Sequence, residues 1–258
     1  MNIVVFIKQV PDTNDVKWTA NNNIDRTKME SIMNPVDRQA VEAALRIKEK
    51  TNSIVTVVTM GPSKAQKVLE EAVAMGADEA FLLYDSLFAG SDTWATSTVL
   101  AAAAKKKVPD CRLMIFGQTA IDGETGQTGI ATAVKMNFPY VTHVNSIIDV
   151  NEESITVVSE TEHERNTYKI LLPAAICVNN FEFRPRIPKI NGYIKSKDYY
   201  YNIYNSIDLD LNSTDTGIKG SPTRVSKVYR TDDKRHCKFI TSGNKITELS
   251  DEIKGALE

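Results

Sequence analysis

Phe116 to Gly129, FGQTAIDGETGQTG, holds the residues of this chain with the clearest chemical capacity. A short apolar run, Arg112 to Phe116, reads as a buried strand ending at Gly117. Beyond the loop, Ile130, Ala133, Val134 and Met136 recur as one face of a helix. Between them lie Gly117, Gln118, Thr119, Ala120, Asp122, Gly123, Glu124, Thr125, Gly126, Gln127 and Thr128. Strand, Gly-rich turn and helix is how an open parallel sheet offers backbone N–H groups and a helix N-terminus to a phosphate. Glycine lets the backbone approach a ligand, and Thr and Gln side chains hydrogen-bond phosphate or ribose oxygens. The alternative is a plain βα connection, but those are normally shorter and less polar. The stretch reads as a nucleotide site.

The rest of the chain must position that stretch. Ile3 to Ile7 is a continuous apolar run, the mark of a strand covered on both faces, and Pro11 prevents its continuation. Lys8 stands at its exit and, taken alone, reads as a solvated lysine. Val16 to Thr19 reads as a short strand. Asn34-Pro35 then opens a helix with Asn as its cap, and Ala40, Ala44 and Ile47 form the apolar stripe. Capping alone accounts for Asn34. Ile54 to Met60 is the next strand, and Ser63 stands where it would cap a helix running to Gly76. After a strand over Ala80 to Tyr84, Ser91 or Asp92 caps a helix that ends at Lys105-Lys106-Lys107, complementing its dipole. Spacing leaves open whether Thr93 and Thr96, in its first turn, also meet a ligand.

Strands alternating with helices imply right-handed βαβ units and a mostly parallel, doubly wound, Rossmann-like α/β sheet. Ligands on such sheets sit at the carboxyl ends of the strands, where Lys8, Met60 and Gly117 fall. Past Pro139 the rhythm changes. Ile147 to Val150, Ser154 to Val158 and Thr167 to Leu172 are strands without helices between them, an antiparallel addition, and Leu172 to Val178 is a last buried strand. Asn179 to Lys197, broken by Pro185 and Pro188, reads as a surface loop. Asp198 to Glu258 carries one weak helix near Leu249 to Leu257 and cannot bury a core of its own. It is either disordered or laid across a partner, and Tyr199, Tyr200, Tyr201, Ile203 and Tyr204 favour the partner.

Composition narrows the classes. The formal charge of -2 supplies no broad basic surface for nucleic acid, and no apolar run approaches the ~18 residues of a membrane span. The chain runs from Met1 into a strand pattern without the marks of a secretion signal. Cys111, Cys177 and Cys237 are widely separated, which argues against a zinc or iron–sulfur site and fits a reducing cytoplasm. His143, His163 and His236 have no metal-ligand spacing, and no carboxylate pair stands out as acid and base. GxGxxG after a strand, GxxxxGK[ST] and GxSxG are all missing. The residues by themselves give a nucleotide-binding α/β protein with a partner-seeking tail, and no reaction.

Several segments together resemble the β subunit of electron transfer flavoproteins. Lys8-Gln9-Val10-Pro11-Asp12 is similar to that family's first-strand exit, and Met33-Asn34-Pro35 to its MNP helix start. Met60-Gly61-Pro62 with Ala74-Met75-Gly76-Ala77-Asp78 is similar to its GP…AMGAD segment, and Ala120-Ile121-Asp122 with Gly126-Gln127-Thr128-Gly129 to its AID…QTG nucleotide loop. Pro185-Arg186 through Lys195-Ser196-Lys197 resembles its recognition loop. The resemblance covers residues 1 to about 200 in consistent order. It implies a nucleotide-binding domain over 1–182, a recognition loop over 183–198 and a C-terminal arm over 199–258 packing on an α subunit that carries an electron-shuttling FAD. It further implies that Phe6, Lys8, Asn34, Asp37, Met60 and the Gly117–Thr128 stretch line an adenine-nucleotide pocket. Ile187, Ile190, Tyr193, Ile194 and Lys195 would dock a flavin dehydrogenase of acyl-CoA or lactate type.

The family divides on what that pocket holds. One branch binds AMP as a structural ligand; an electron-bifurcating branch places a second FAD there, reducible by NADH, with ferredoxin as one electron acceptor. Asp122-Gly123-Glu124-Thr125 resembles the DGDT of the bifurcating branch, and Ala89 to Thr96 resembles a segment common in its members. By that resemblance Asp92, Thr93 and Thr96 join the cofactor-binding set. Gly123 and Gly126 would leave room for the rest of a dinucleotide. Gln127-Thr128-Gly129 is closer to the AMP branch, so AMP stays as the alternative to FAD.

Overall fold

A computed structural model describes residues 1–12, 31–226 and Ser250. The strand expected over Val16 to Thr19 lies outside them, as does the terminal helix apart from Ser250. Met1–Arg224 is one compact unit.

The apolar run at the N-terminus forms β1 (Asn2–Ile7), followed by a small antiparallel ribbon of β2 (Gln9–Pro11) and β3 (Ser31–Met33). Next come α1 (Pro35–Thr51), β4 (Ile54–Met60), α2 (Gln66–Met75), β5 (Glu79–Leu83), α3 (Thr93–Lys107), β6 (Cys111–Gly117) and α4 (Thr128–Met136). The second half adds β7 (Tyr140–Val150), β8 (Ser154–Glu160), β9 (Arg165–Leu171), β10 (Ala174–Val178), α5 (Ile190–Asp198), β11 (Asn202–Tyr204) and the short α6 (Gly217–Gly220). Nine strands make one sheet in the order β11-β5-β4-β1-β6-β10-β7-β8-β9. It is parallel from β11 to β7, and β7, β8 and β9 pair antiparallel. The expected α/β class, with its antiparallel addition, is what forms.

Alternation along the buried strands builds two cores, one on each face of the sheet. Ile3, Val5, Leu113, Ile115 and Ile176 pack with α1 and α2, whereas Val4, Phe6, Met114, Phe116 and Cys177 pack with α3 and α4. The chain moves outward from β1 through β4 to β5, then crosses back to lay β6 on the other side of β1. That reversal leaves a crevice at the carboxyl ends of β1 and β6, the place where such sheets hold ligands.

Three local expectations are corrected. Ser63 does not cap α2: it opens a single 3-10 turn, Ser63–Ala65, and neither Pro62 nor Ala65 makes a side-chain capping bond. The surface loop expected over Asn179 to Lys197 contains α5 in its second half. Gly192 explains how α5 can sit so close to α2, since a Cβ there would come within 2.2 Å of the Ala74 carbonyl oxygen. Proline punctuation and a polar composition hid that helix, whose stability comes from packing rather than propensity.

The first part of the arm is also folded onto its own domain. β11 extends the sheet beside β5, Leu209 is buried, and the Ala80 backbone N–H donates to the Tyr199 hydroxyl. Tyr201 is buried and donates to the Ser196 carbonyl, while Tyr204 meets Phe81 edge to face. Three of the tyrosines that suited a partner are therefore held by the domain, leaving Tyr200 and Ile203 exposed. On the opposite side the sheet ends at β9, exposed at nearly every position.

The segment before α5 is pinned by charge. Glu42 of α1 is buried, and its carboxylate accepts from the Arg186 backbone N–H, Arg186 Nε at 2.8 Å and Arg46 Nε at 2.8 Å. Burial alone would raise the Glu42 pKa, but the Arg186 bonds outweigh it and hold the carboxyl below its usual range. Glu42→Ala should lower unfolding free energy by roughly 2–4 kcal/mol in urea titrations, with Glu42→Gln between it and wild type. Limited proteolysis of Glu42→Ala should cut within 183–198 first.

Candidate functional site

The carboxyl ends of β1, β4, β6 and β10 lie at one level: Ile7 pairs with Thr59, Phe6 with Phe116, and Gly117 with Val178. Asn34, which sequence logic assigns to helix capping, makes no side-chain capping bond. Fully buried, it instead donates from Nδ2 to the Thr119 carbonyl at 2.9 Å and accepts at Oδ1 from the Ile121 N–H at 3.3 Å. Its backbone N–H donates to the Lys8 carbonyl. One side chain thus ties the start of α1 to the loop after β6, and its backbone ties it to the exit of β1.

Asp37, in the first turn of α1, completes the junction. Oδ2 accepts from the Lys8 backbone N–H at 2.7 Å, and a Cβ at Gly117 would fall 2.2 Å from Oδ1. Only glycine lets β6 approach the carboxylate this closely. Burial pushes the Asp37 pKa up to about 7, against the lowering effect of bonds from Asn34, Lys8 and Gly117. Lys8 is not a free lysine: its Nζ lies 2.7 Å from Asp122 Oδ1, across the mouth of the loop.

The loop is a tight turn followed by an open stretch. The N–H groups of Gly123 and Glu124 both donate to the Ala120 carbonyl, and Glu124 and Gly126 have positive φ, 50° and 63°. No atom lies within 4 Å of where a Cβ would stand on Gly123. Asp122, Gly123, Glu124, Thr125 and Gln127 are exposed. Gln118 is buried instead, its Oε1 accepting from the His143 N–H at 2.9 Å, where His143 has a φ of 53°. α4 starts at Thr128 without a side-chain cap from Gln127, so its first N–H groups have no such partner. An uncapped helix start, glycines and the exposed Thr125 hydroxyl are groups that can meet a phosphate or another anion.

Not every expected residue joins those groups through its side chain. Phe6 stacks on Phe116 with ring centroids 4.8 Å apart, inside the core beneath the crevice. Met60 ends β4 and packs partly buried against the same core. Thr93 reaches the loop, its hydroxyl donating to Gln127 Oε1 at 3.2 Å, while Thr96 lies one turn further along α3. Asp92 caps α3 through Oδ1, 3.0 Å from the Ala95 N–H, and Oδ2 accepts from the Thr223 N–H and hydroxyl. Both oxygens therefore serve the chain itself. The residues that sequence reasoning missed here are Ser221 and Thr223, which no spacing signal could link to a turn more than a hundred residues earlier. Among the described residues no His, Cys, Asp and Glu group is built to hold a metal.

Two outcomes follow from this junction. Asn34→Ala removes both clamps on the loop and should raise hydrogen exchange across 118–127 by at least about tenfold, each lost buried bond being worth about 1–3 kcal/mol. Asp37 has a folded pKa raised above its unfolded value, so its contribution to stability is full below pH ~4 and is lost as pH rises through about 7. Unfolding free energy should fall between pH 5 and pH 8 by roughly 2–3 kcal/mol from this group. In Asp37→Asn that slope should disappear, as urea titrations at the two pH values would read.

The sequence profile described as the electron transfer flavoprotein domain matches residues 22–195. The electron transfer flavoprotein subunit beta of Thermoanaerobacterium thermosaccharolyticum is 37% identical over 251 residues, covering 95% of this chain and 94% of that one. The caffeyl-CoA reductase–Etf complex subunit CarD of Acetobacterium woodii is 38% identical over 261 residues, covering 100% and 98%. The acryloyl-CoA reductase electron transfer subunit gamma of Anaerotignum propionicum is 36% identical over 262 residues, covering 98% of each. With the profile spanning more than half of the chain and relatives aligned nearly end to end, this chain belongs to the electron transfer flavoprotein family, as a β subunit.

Proposed function

We propose that this β subunit holds an FAD in the cradle between Asn34 and Thr128 and works in a heterodimer with an FAD-carrying α subunit in the cytoplasm. The observation that carries the reading is the open Gly123–Gln127 stretch leading into the uncapped start of α4, with empty space over Gly123. Such a cradle accepts a pyrophosphate as well as a single phosphate, because backbone N–H groups and not a fixed side chain meet the anion. When bound there, FAD would supply two-electron uptake from NADH and one-electron delivery to ferredoxin and, by way of the α-subunit FAD, to a dehydrogenase. The names of two relatives, subunits of caffeyl-CoA and acryloyl-CoA reductase complexes, support a partner that acts on an acyl-CoA.

The chain's own part is placement. Asn34 holds the loop backbone at Thr119 and Ile121, so the cradle is preorganised before the nucleotide arrives. Lys8 offsets the charge of Asp122 at the mouth, which would otherwise repel an incoming phosphate. The helix dipole of α4 and its first N–H groups face the negative charge. No side chain acts as an acid or base. AMP in the same cradle is the competing reading, favoured by the Gln127-Thr128-Gly129 start of α4.

A dehydrogenase would dock on the segment around α5. Ile187 and Ile190 are 84% and 79% exposed, and Tyr193 and Ile194 are also exposed. Lys195 lies along α5 with its Nζ 3.5 Å from the Ala77 carbonyl. Large apolar side chains left in water on an ordered helix are the usual anchors of an interface.

Nucleotides released by denaturing the heterodimer, once co-expressed with its α subunit, decide the first point. Two FAD and no AMP per heterodimer are expected; one FAD with one AMP would sink the bifurcating reading. For the docking surface, Ile190→Asp should slow electron transfer with the dehydrogenase by at least about tenfold while leaving nucleotide content unchanged. An unaltered rate would remove Ile190 from the interface.

A further inference from the structure

The Ala89–Thr93 turn before α3 resembles a cofactor-binding segment, yet its groups face the C-terminal arm. Gly90 has a φ of 75°, and a Cβ there would stand 2.6 Å from Ile218 Cγ1, so the missing side chain makes room for the arm. Ser91 Oγ accepts from the Gly217 N–H at 2.9 Å. The Asp92 N–H donates to Ser221 Oγ at 2.8 Å, and Ser221 Oγ in turn donates to the Gly217 carbonyl at 2.7 Å. Asp92 Oδ2 accepts from the Thr223 N–H at 2.9 Å and from the Thr223 hydroxyl at 2.7 Å. Bonds that end on an ionised carboxylate are the stronger kind. Against the raising effect of burial, the Thr223 and Ala95 bonds hold the Asp92 pKa below its ordinary value.

The residue after this clasp touches the nucleotide loop. Thr93 donates to Gln127, which stands immediately before the first turn of α4. A single turn of five residues therefore grips the arm with one end and the loop with the other. We propose that Asp92 and Thr223 are positioning residues, a clasp whose closure on the arm sets the conformation of the nucleotide loop through Thr93 and Gln127. The proposal rests on the loop being the nucleotide site. In consequence, whatever pulls on the arm beyond Thr223 changes how tightly the nucleotide is held, and nucleotide binding changes how firmly the arm is seated, because such coupling is reciprocal.

Asp92→Asn separates the two jobs of this residue. Asparagine still caps α3 through Oδ1, as good a cap as aspartate, but turns an NH2 group toward the Thr223 N–H. Thr223→Val removes the hydroxyl bond alone, and Thr223→Ser keeps it. In the full-length chain co-expressed with its α subunit, hydrogen exchange would be followed in 217–223 and 118–128, with the dissociation constants for added FAD and AMP. Asp92→Asn and Thr223→Val should speed exchange in both segments by about tenfold and weaken nucleotide binding several-fold, while Thr223→Ser matches wild type. Thr93→Val should speed exchange in the loop and leave the arm protected. A loosened arm beside a loop of unchanged exchange and affinity would overturn the proposal. A heterodimer that takes up neither nucleotide would instead refute the functional reading, and the paired exchange rates would still report whether the clasp couples the two segments.

Discussion

Everything at the carboxyl end of the sheet depends on a polar junction buried where a polar junction is costly. Asn34 and Asp37 occupy the first turn of α1, between the ends of β1 and β6, with almost no exposure to water. An unpaired amide or carboxylate there would cost several kcal/mol, so the pair is tolerable only because the backbone of Lys8, Gly117, Thr119 and Ile121 is brought to it. The requirement runs both ways. The strands must end, and the loop must turn, where those bonds can be made, which fixes the crevice as firmly as the apolar packing beneath it.

That junction also separates two kinds of order in the site. Below it, Phe6 and Phe116 stack in a close-packed core that specifies the sheet. Above it, Asp122 to Thr125 are exposed and Gly123 stands in open space, while Gly126 lies against Gln118 and Thr119. Such a division suits ligand binding, since rigid walls can stand beside backbone groups that remain uncovered.

Much of this was readable in advance, for reasons that can be named. Continuous apolar runs such as Ile3 to Ile7 signal a doubly covered strand because burial on both faces leaves no room for alternation, and the loop after Gly117 stands out by its glycines and hydroxyls. Its use as a site follows from topology once the strand order is inferred. What escaped was long-range polar chemistry. Asn34 looks like a cap because Asn-Pro at a helix start usually is one, and local statistics cannot reveal a partner eighty-five residues away. Asp92 caps α3 as its place before the helix suggests, but its second oxygen accepts from Thr223, a partner that no local signal reveals. α5 and β11 were missed because each is short and polar, and each exists by resting on a neighbour rather than by its own propensity.

The two ends of the sheet differ in how they are finished. At one end β11 contributes only three residues, and the chain then turns away through Ser206, which donates from its backbone and hydroxyl to Asp85. At the other, β9 has seven residues whose outer side pairs with no strand among the described residues, the kind of margin on which other chains can grow as added strands. Arg165 and Lys169 stand on that margin, spaced so that a second copy laid alongside would bring like charges together. Variants that neutralise those two cations would be expected to trade solubility for strand-on-strand association without disturbing the crevice at all.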